Sequence, residues 1–168
     1  MSPRFLNDEQ LLAQCQVDIS RGSGPGGQKR NKTSSAVRIR HPPTGLIVIA
    51  EESRSQHENR ARALRRLRQA LYLQIRDPPP EGSAAEYAEV AAARTAEGRL
   101  DVGRKDARFW PAAGVVLDVL TACEARLSEA AEALGITTAN LVEFLRTDAK
   151  VWQRTNEYRT AFGHKPLH

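Results

Sequence analysis

The chain has little cysteine, few aromatic side chains and no long apolar run, and each shortage removes a class of protein. Among 168 residues only Cys15 and Cys123 are cysteines, too few and too isolated for a disulfide framework or a zinc site. The four histidines show no ligand spacing with them, so neither a metal nor another cofactor is expected. No stretch approaches the ~20 apolar residues of a bilayer-spanning helix, so no membrane partner is expected. The N-terminal MSPRFLNDEQ lacks a hydrophobic signal core, and Asp8 with Glu9 is unlike an acid-poor transit peptide. These traits predict a reduced, cytoplasmic protein. Aromatics make up 5% of the residues and hydrophobic residues 40%, which predicts a mainly aliphatic core.

Positive charge is present in excess, and unevenly. Residues 1–76 carry 14 Lys and Arg against 6 Asp and Glu, whereas residues 77–168 carry 11 against 14. The nucleic-acid signal therefore lies in the first half.

The first half also reads as α+β. A short helix is expected near residues 7–14. Cys15, Val17 and Ile19 alternate with Gln16, Asp18 and Ser20, the pattern of a half-buried strand. Val37 and Ile39 alternate with Arg38 and Arg40. The turn residues Pro42 to Gly45 and the run LIVIA follow, so 34–51 reads as a hairpin. From His57 to Arg76 the period becomes helical, with Leu64, Leu67, Leu71 and Ile75 in one stripe and Arg62, Arg65 and Arg66 off it. Ser55 is placed to cap this helix, with Glu58 as its capping-box partner.

DPPPEGS (77–83) breaks the helix, and the Ala-rich stretch after it reads as helical. RLDVGRKDARFWP is ambiguous. From Val115 onward the pattern is all-helical, and Leu134, Gly135, Ile136 and the N-cap candidate Thr137 have helix-turn-helix spacing. The expected organisation is an α+β domain over 1–76, a linker with a helix over 77–98 and an all-α module over 99–168. Its fold is a small antiparallel sheet with a long basic helix and a protruding loop, followed by the helical module.

That loop holds the least ordinary chemistry in the chain. Between Gly22 and Gly27 lie four glycines and a proline, followed by Gln28, Lys29, Arg30, Asn31 and Lys32. Glycine lets a backbone approach a partner closely at an entropic cost. The pattern is neither a GxGxxG opening a helix nor a phosphate loop ending in GK[ST]. Lys29, Arg30 and Lys32 are placed to grip phosphates as the loop enters a polyanionic cavity.

Several other residues invite ordinary readings. Glu51 and Glu52 point to opposite faces of a strand and read as solvated surface. His57 reads as a capping or packing residue. Trp110 and Trp152 read as core anchors.

The stretch from Gly22 to Leu67 closely resembles the catalytic domain of class I peptide-chain release factors, which ribosome-rescue peptidyl-tRNA hydrolases share. The resemblance is carried by Gly26-Gly27-Gln28, Asn31-Lys32, the strand Ser35 to Ile39, Pro43-Thr44-Gly45 and Arg54-Ser55-Gln56-His57. It covers about residues 15–76. It implies hydrolysis of the ester joining a nascent peptide to P-site tRNA, with Gly26, Gly27 and Gln28 as the catalytic residues. The Gln28 backbone N–H supports the transition state, its side chain admits water, and the two glycines supply the backbone geometry. An ester already activated by ribosomal RNA needs positioning and oxyanion stabilisation, and no cofactor is called on. The implied partners are the large ribosomal subunit and peptidyl-tRNA. The residues assigned to rRNA or tRNA contact are Arg21, Ser23, Lys29, Arg30, Asn31, Lys32, Arg38, Arg40, Arg54, Arg62, Arg65 and Arg66. Gln28 is also a candidate for N5-methylation, which would add a glutamine methyltransferase to the partners. Related proteins often have His-Val after the glutamine where this chain has Lys29-Arg30.

About 14 residues precede the first strand, which predicts action without stop-codon recognition, on stalled ribosomes or separated large subunits. The chain ends NEYRTAFGHKPLH, without the Lys/Arg-rich tail of the small rescue hydrolases. The helical module has RNA and protein as open partners, Arg146, Lys150, Arg154 and Arg159 favouring RNA and its net negative charge opposing it. The alternative to an enzyme is a non-catalytic rRNA- or ribosome-binding module that retains the loop. A DNA-binding regulator using 127–146 would leave the loop unexplained, so no DNA partner is expected.

Overall fold

The structure is a computed structural model, and it describes residues 1–20, 35–79 and 81–168. It divides into two compact units, Met1–Leu71 and Tyr72–His168.

In the first unit, α1 (Asp8–Ala13) starts where Asn7 and Gln10 exchange side-chain and backbone hydrogen bonds in a capping box. Three strands follow: β1 (Gln16–Ser20), β2 (Ala36–His41) and β3 (Leu46–Ala50). They form one antiparallel sheet in the order β1-β2-β3. The register sets Val17 beside Ile39 and Ile39 beside Val48, and Ile19 beside Val37 and Val37 beside Ala50, so alternation puts these side chains on one face. Val37, Ile39 and Ala50 are buried there. Ile19, on an edge strand, remains 47% exposed despite its inward pattern. The β2–β3 turn closes when Gly45 N–H donates to His41 O, with Gly45 at φ +75°. That left-handed backbone suits the glycine of the PPTG turn.

The long helix α2 spans Gln56–Gln74. Its buried stripe is Asn59, Ala63, Leu67 and Leu71, one residue every fourth position. The expected stripe is thus corrected at both ends. Leu64 is only partly buried and Ala63 takes its place, while Ile75 lies beyond the helix. Ser55 does cap the helix, accepting from Glu58 N–H at 3.2 Å. The reciprocal arm of the capping box is absent because Ser53 intervenes. Its hydroxyl donates to the Glu58 carboxylate and accepts from Ser55 N–H.

In the second unit the Ala-rich stretch is mostly not a helix. A 3-10 turn (Ala84–Glu86) leads into a five-residue α3 (Ala88–Ala92), and Arg94 then pairs with Leu100 across a turn whose Gly98 has φ +85°. Burial of Val90, Ala93 and Leu100 rewards that bend over helix continuation. Four helices follow: α4 (Phe109–Ala122), α5 (Leu127–Leu134), α6 (Thr138–Arg146) and α7 (Ala149–Ala161). Gly135 ends α5 in left-handed backbone, and Thr137 caps α6 by accepting from Asn140 N–H. The Leu134–Thr137 punctuation is therefore as expected.

This unit packs around Phe109, Val116, Leu117, Leu120, Leu134, Leu141, Leu145 and Val151, all fully buried. Each such aliphatic or aromatic side chain contributes about 1.5–3 kcal/mol by leaving water. Phe109 lies edge-on to Trp110 and tilted against Phe144, with ring centroids 5.2 and 5.4 Å apart. Trp110 and Trp152 pack against this core, the anchoring role expected of them. Asn140 is buried within it and bonds both Leu100 N–H and Leu100 O at 2.9 Å, tying the Arg94–Leu100 turn to α6.

Candidate functional site

Ser20 and Ala36 are paired across the β1–β2 ladder. Residues 20 and 36 are therefore neighbours on adjacent strands. Gly26, Gly27 and Gln28, together with Arg21, Ser23, Lys29, Arg30, Asn31 and Lys32, lie outside the described residues. Among the described residues, one tie was not anticipated from the sequence.

Asn59, in the first turn of α2, is completely buried. Its Nδ2 donates to Ser35 O at 2.7 Å and to Ser53 O at 2.8 Å, and its Oδ1 accepts from Ser53 N–H at 3.0 Å. One amide thus joins β2's approach, the β3–α2 connection and the helix. The amide orientation is dictated, since reversal would set its oxygen against two carbonyls. The only sequence clue was a polar residue on the apolar stripe of a helix.

The six described candidates for RNA contact divide into free and engaged side chains. Arg38 and Arg40 project from the outer face of β2, exposed, with Asp18 and Ile49 flanking the first and Gln16 and Ile47 the second. Ile47 and Ile49 are themselves about half exposed, at 47% and 50%. Arg54 is exposed in the β3–α2 connection, Arg65 is exposed on α2, and Arg62 is half-buried one turn earlier. Among the described residues none of these five has an ion-pair partner.

Arg66 differs. Its guanidinium donates to Ile49 O at 2.6 Å and pairs with the Glu52 carboxylate. That hydrogen bond is the main reason the Glu52 pKa drops to about 2. Glu52 is consequently ionised at neutral pH and unsuited to donating or relaying a proton. Arg68 similarly binds Asp8 at 2.8 Å. His57 is exposed on the first turn of α2, where Ser55 is the cap, which corrects the expectation that it caps or packs.

The basic residues of the helical module are largely committed within it. Arg146 lies 4.9 Å over the Trp152 ring, Arg154 pairs with Glu157 at 2.8 Å and covers Tyr158, and Arg159 donates to Ala125 O. Lys150 is exposed. Among the described residues, no three His, Cys, Asp or Glu side chains are placed to hold a metal ion, and no helix is long and apolar enough to cross a membrane.

The model of the RF-1 domain matches residues 11–108, more than half of the chain. The chain belongs to the RF-1 domain family. The match extends beyond the 15–76 stretch quoted above, through α3 and the Arg94–Leu100 turn. Relatives are peptide chain release factor 1 of Acidiphilium cryptum (strain JF-5), 53% identical over 74 residues, and of Gluconobacter oxydans (strain 621H), 40% identical over 101 residues. These alignments cover 44% and 60% of this chain but 21% and 24% of the relatives. The protein of that name from Granulibacter bethesdensis is 44% identical over 90 residues, 54% of this chain and 22% of its own length. The RF-1 domain chain thus spans less than a quarter of the relatives it matches. Its sheet, Asn59 tie and basic helix all lie inside the matched region.

Proposed function

We propose that this chain is a ribosome-dependent peptidyl-tRNA hydrolase that releases nascent peptides without reading a stop codon. The observation that carries the activity is the RF-1 domain match over 11–108, with Gly26-Gly27-Gln28 intact inside it. Gln28 is the working residue. Its backbone N–H meets the developing oxyanion, and its side chain shapes a pocket that admits water while excluding larger nucleophiles. Gly26 and Gly27 let the backbone take up that position. The partners are the large subunit rRNA and peptidyl-tRNA, with the cytoplasm as the site of action.

Arg38, Arg40, Arg54, Arg62 and Arg65 are the described side chains available to rRNA or tRNA phosphates, with Arg21, Ser23, Lys29, Arg30, Asn31 and Lys32 adding to them. Arg66 helps hold the sheet to the helix. N5-methylation of Gln28 by a glutamine methyltransferase belongs to the same reading. Codon independence draws support from the residues beyond the family match: 109–168 build α4 to α7 around an aliphatic core, an arrangement suited to docking more than to reading bases. The internal use of Arg146, Arg154 and Arg159 favours a protein partner for this module over RNA.

The test is peptide release from ribosomes carrying peptidyl-tRNA with an empty A site, with and without a stop codon. Release by the wild-type chain in both settings, abolished in Gly27→Ala and Gln28→Ala, is the expected result. No release by the wild type overturns the enzymatic reading, and release only with a stop codon overturns codon independence.

A further inference from the structure

We propose that Asn59 is a positioning residue for peptide release, acting by fixing Ser35, the residue just before β2; this rests on the hydrolase reading above. Gln28 precedes Ser35 by seven residues. Seven residues span at most about 25 Å, so fixing Ser35 bounds how far Gln28 lies from it. Ala36, next to Ser35, is held by its pairing with Ser20. Ser35 gains a second anchor, the 2.7 Å hydrogen bond from Asn59 Nδ2.

The chemistry of the anchor is specific to an amide of this length. Asn59 occupies the first position of the buried stripe that continues through Ala63, Leu67 and Leu71. An apolar residue there would pack with the stripe but leave the Ser35 and Ser53 carbonyls and the Ser53 N–H without this partner. Aspartate has the shape but no donors, and its charge would face two carbonyl oxygens. Glutamine carries the same groups one methylene too far. The helix holds Asn59 in turn, because its own N–H donates to Ser55 O at 3.0 Å in the capped first turn. Ser35, Ser53 and the start of α2 are therefore tied to one side chain. Arg54 lies between Ser53 and Ser55, so an RNA-facing cation and Ser35 share one support.

A positioning role is separable from a stabilising one. Asn59→Ala and Asn59→Asp are compared with Leu67→Ala, a core change on the same helix that does not touch Ser35, with melting of the full-length chain followed for each. Peptide release is measured as a function of the concentration of ribosomal complex. Asn59→Ala and Asn59→Asp are expected to lower kcat by about tenfold or more, with half-saturation shifted by no more than about twofold. Leu67→Ala is expected to keep kcat while losing at least as much thermal stability. Amide exchange at Ala36 should quicken in the Asn59 variants and not in Leu67→Ala. Equal losses of kcat in the Asn59 and Leu67 variants, or unchanged kcat in Asn59→Ala, would overturn the proposal while wild-type release leaves the hydrolase reading standing. Absence of wild-type release would remove both.

Discussion

Nε2 of His41 lies 2.8 Å from Oε1 of Gln14, a contact across 27 residues that ties the end of β2 to the residue following α1. A carbonyl oxygen only accepts, so Nε2 carries the proton and Nδ1 is left to accept from the Thr44 hydroxyl at 2.7 Å. His41 thus fastens both the amino-terminal helix and the β2–β3 turn, and it does so as a neutral ring. Its side chain is completely buried, and the cost of desolvating a charge pushes its pKa below the ordinary value.

The sign of the resulting pH dependence is fixed. An unfolded chain protonates histidine near pH 6.5, whereas folded His41 takes the proton only at lower pH. Its contribution to stability is therefore complete above about pH 6.5 and is lost progressively as the pH falls below that value. Denaturant midpoints of the first unit should drop between pH 7 and pH 5, and His41→Gln should flatten that part of the profile. A profile unchanged by His41→Gln would refute this origin of the dependence.

Gly135 is expected to resist substitution. It ends α5 at φ +68°, and a Cβ there would lie 3.1 Å from Arg94 Nη2 and 3.2 Å from Ala85 Cβ. The Arg94 guanidinium at this spot bonds the Leu134 and Gly98 carbonyls. Gly135→Ala combines left-handed strain with crowding of that contact and should cost roughly 1–2 kcal/mol. Calorimetric melting of the helical unit would register it, and an unchanged melting temperature would contradict it.

Asp118 is expected to matter more. It is nearly buried on α4, lies 3.4 Å from Arg76 and accepts from Asp77 N–H at 3.1 Å, just after α2 ends. Removing the buried carboxylate takes away the charge partner of the partly buried Arg76, which keeps its bonds to the Gly114 and Tyr72 carbonyls, a loss of about 3 kcal/mol. Asp118→Ala should therefore lower the denaturant midpoint of the second unit well beyond the change in Gly135→Ala. Equal or smaller effects would show that Arg76 is satisfied by its other contacts.

Short-range chemistry was what the sequence revealed most clearly. The alternation of Val37 and Ile39 with Arg38 and Arg40, the Ser55 cap, the PPTG turn and the Gly135–Thr137 break each depend on residues within a few positions. The Ala-rich stretch misled for the same reason. Its composition favours helix locally, but packing of Val90, Ala93 and Leu100 bends it back after five residues. Asn59 was not legible because Ser35 stands 24 residues away and the amide's value depends on three groups converging. Arg66 reads as one more cation on a basic helix because its partners, Glu52 and the Ile49 carbonyl, lie 14 and 17 residues away. For Gly26, Gly27 and Gln28, recognition rested on their order in the chain.

The last prediction separates arginines that composition makes equivalent. Arg62, Arg65 and Arg66 lie within five positions of α2, yet Arg66 is occupied by Glu52 and Ile49 O while Arg62 and Arg65 have no ion-pair partner among the described residues. A cation that binds a phosphate releases a counterion, so its loss reduces the slope of log affinity against log salt by about 0.7–0.9. Arg65→Gln, and likewise Arg38→Gln or Arg40→Gln on the sheet, should weaken binding to large ribosomal subunits and flatten that slope by roughly one contact each. Arg66→Gln should leave the slope unchanged and instead lower stability modestly, by about 1 kcal/mol or less, as befits an exposed pair. Titrations at several salt concentrations measure both. An Arg66→Gln slope falling as far as that of Arg65→Gln would mean that RNA takes Arg66 from Glu52 on binding.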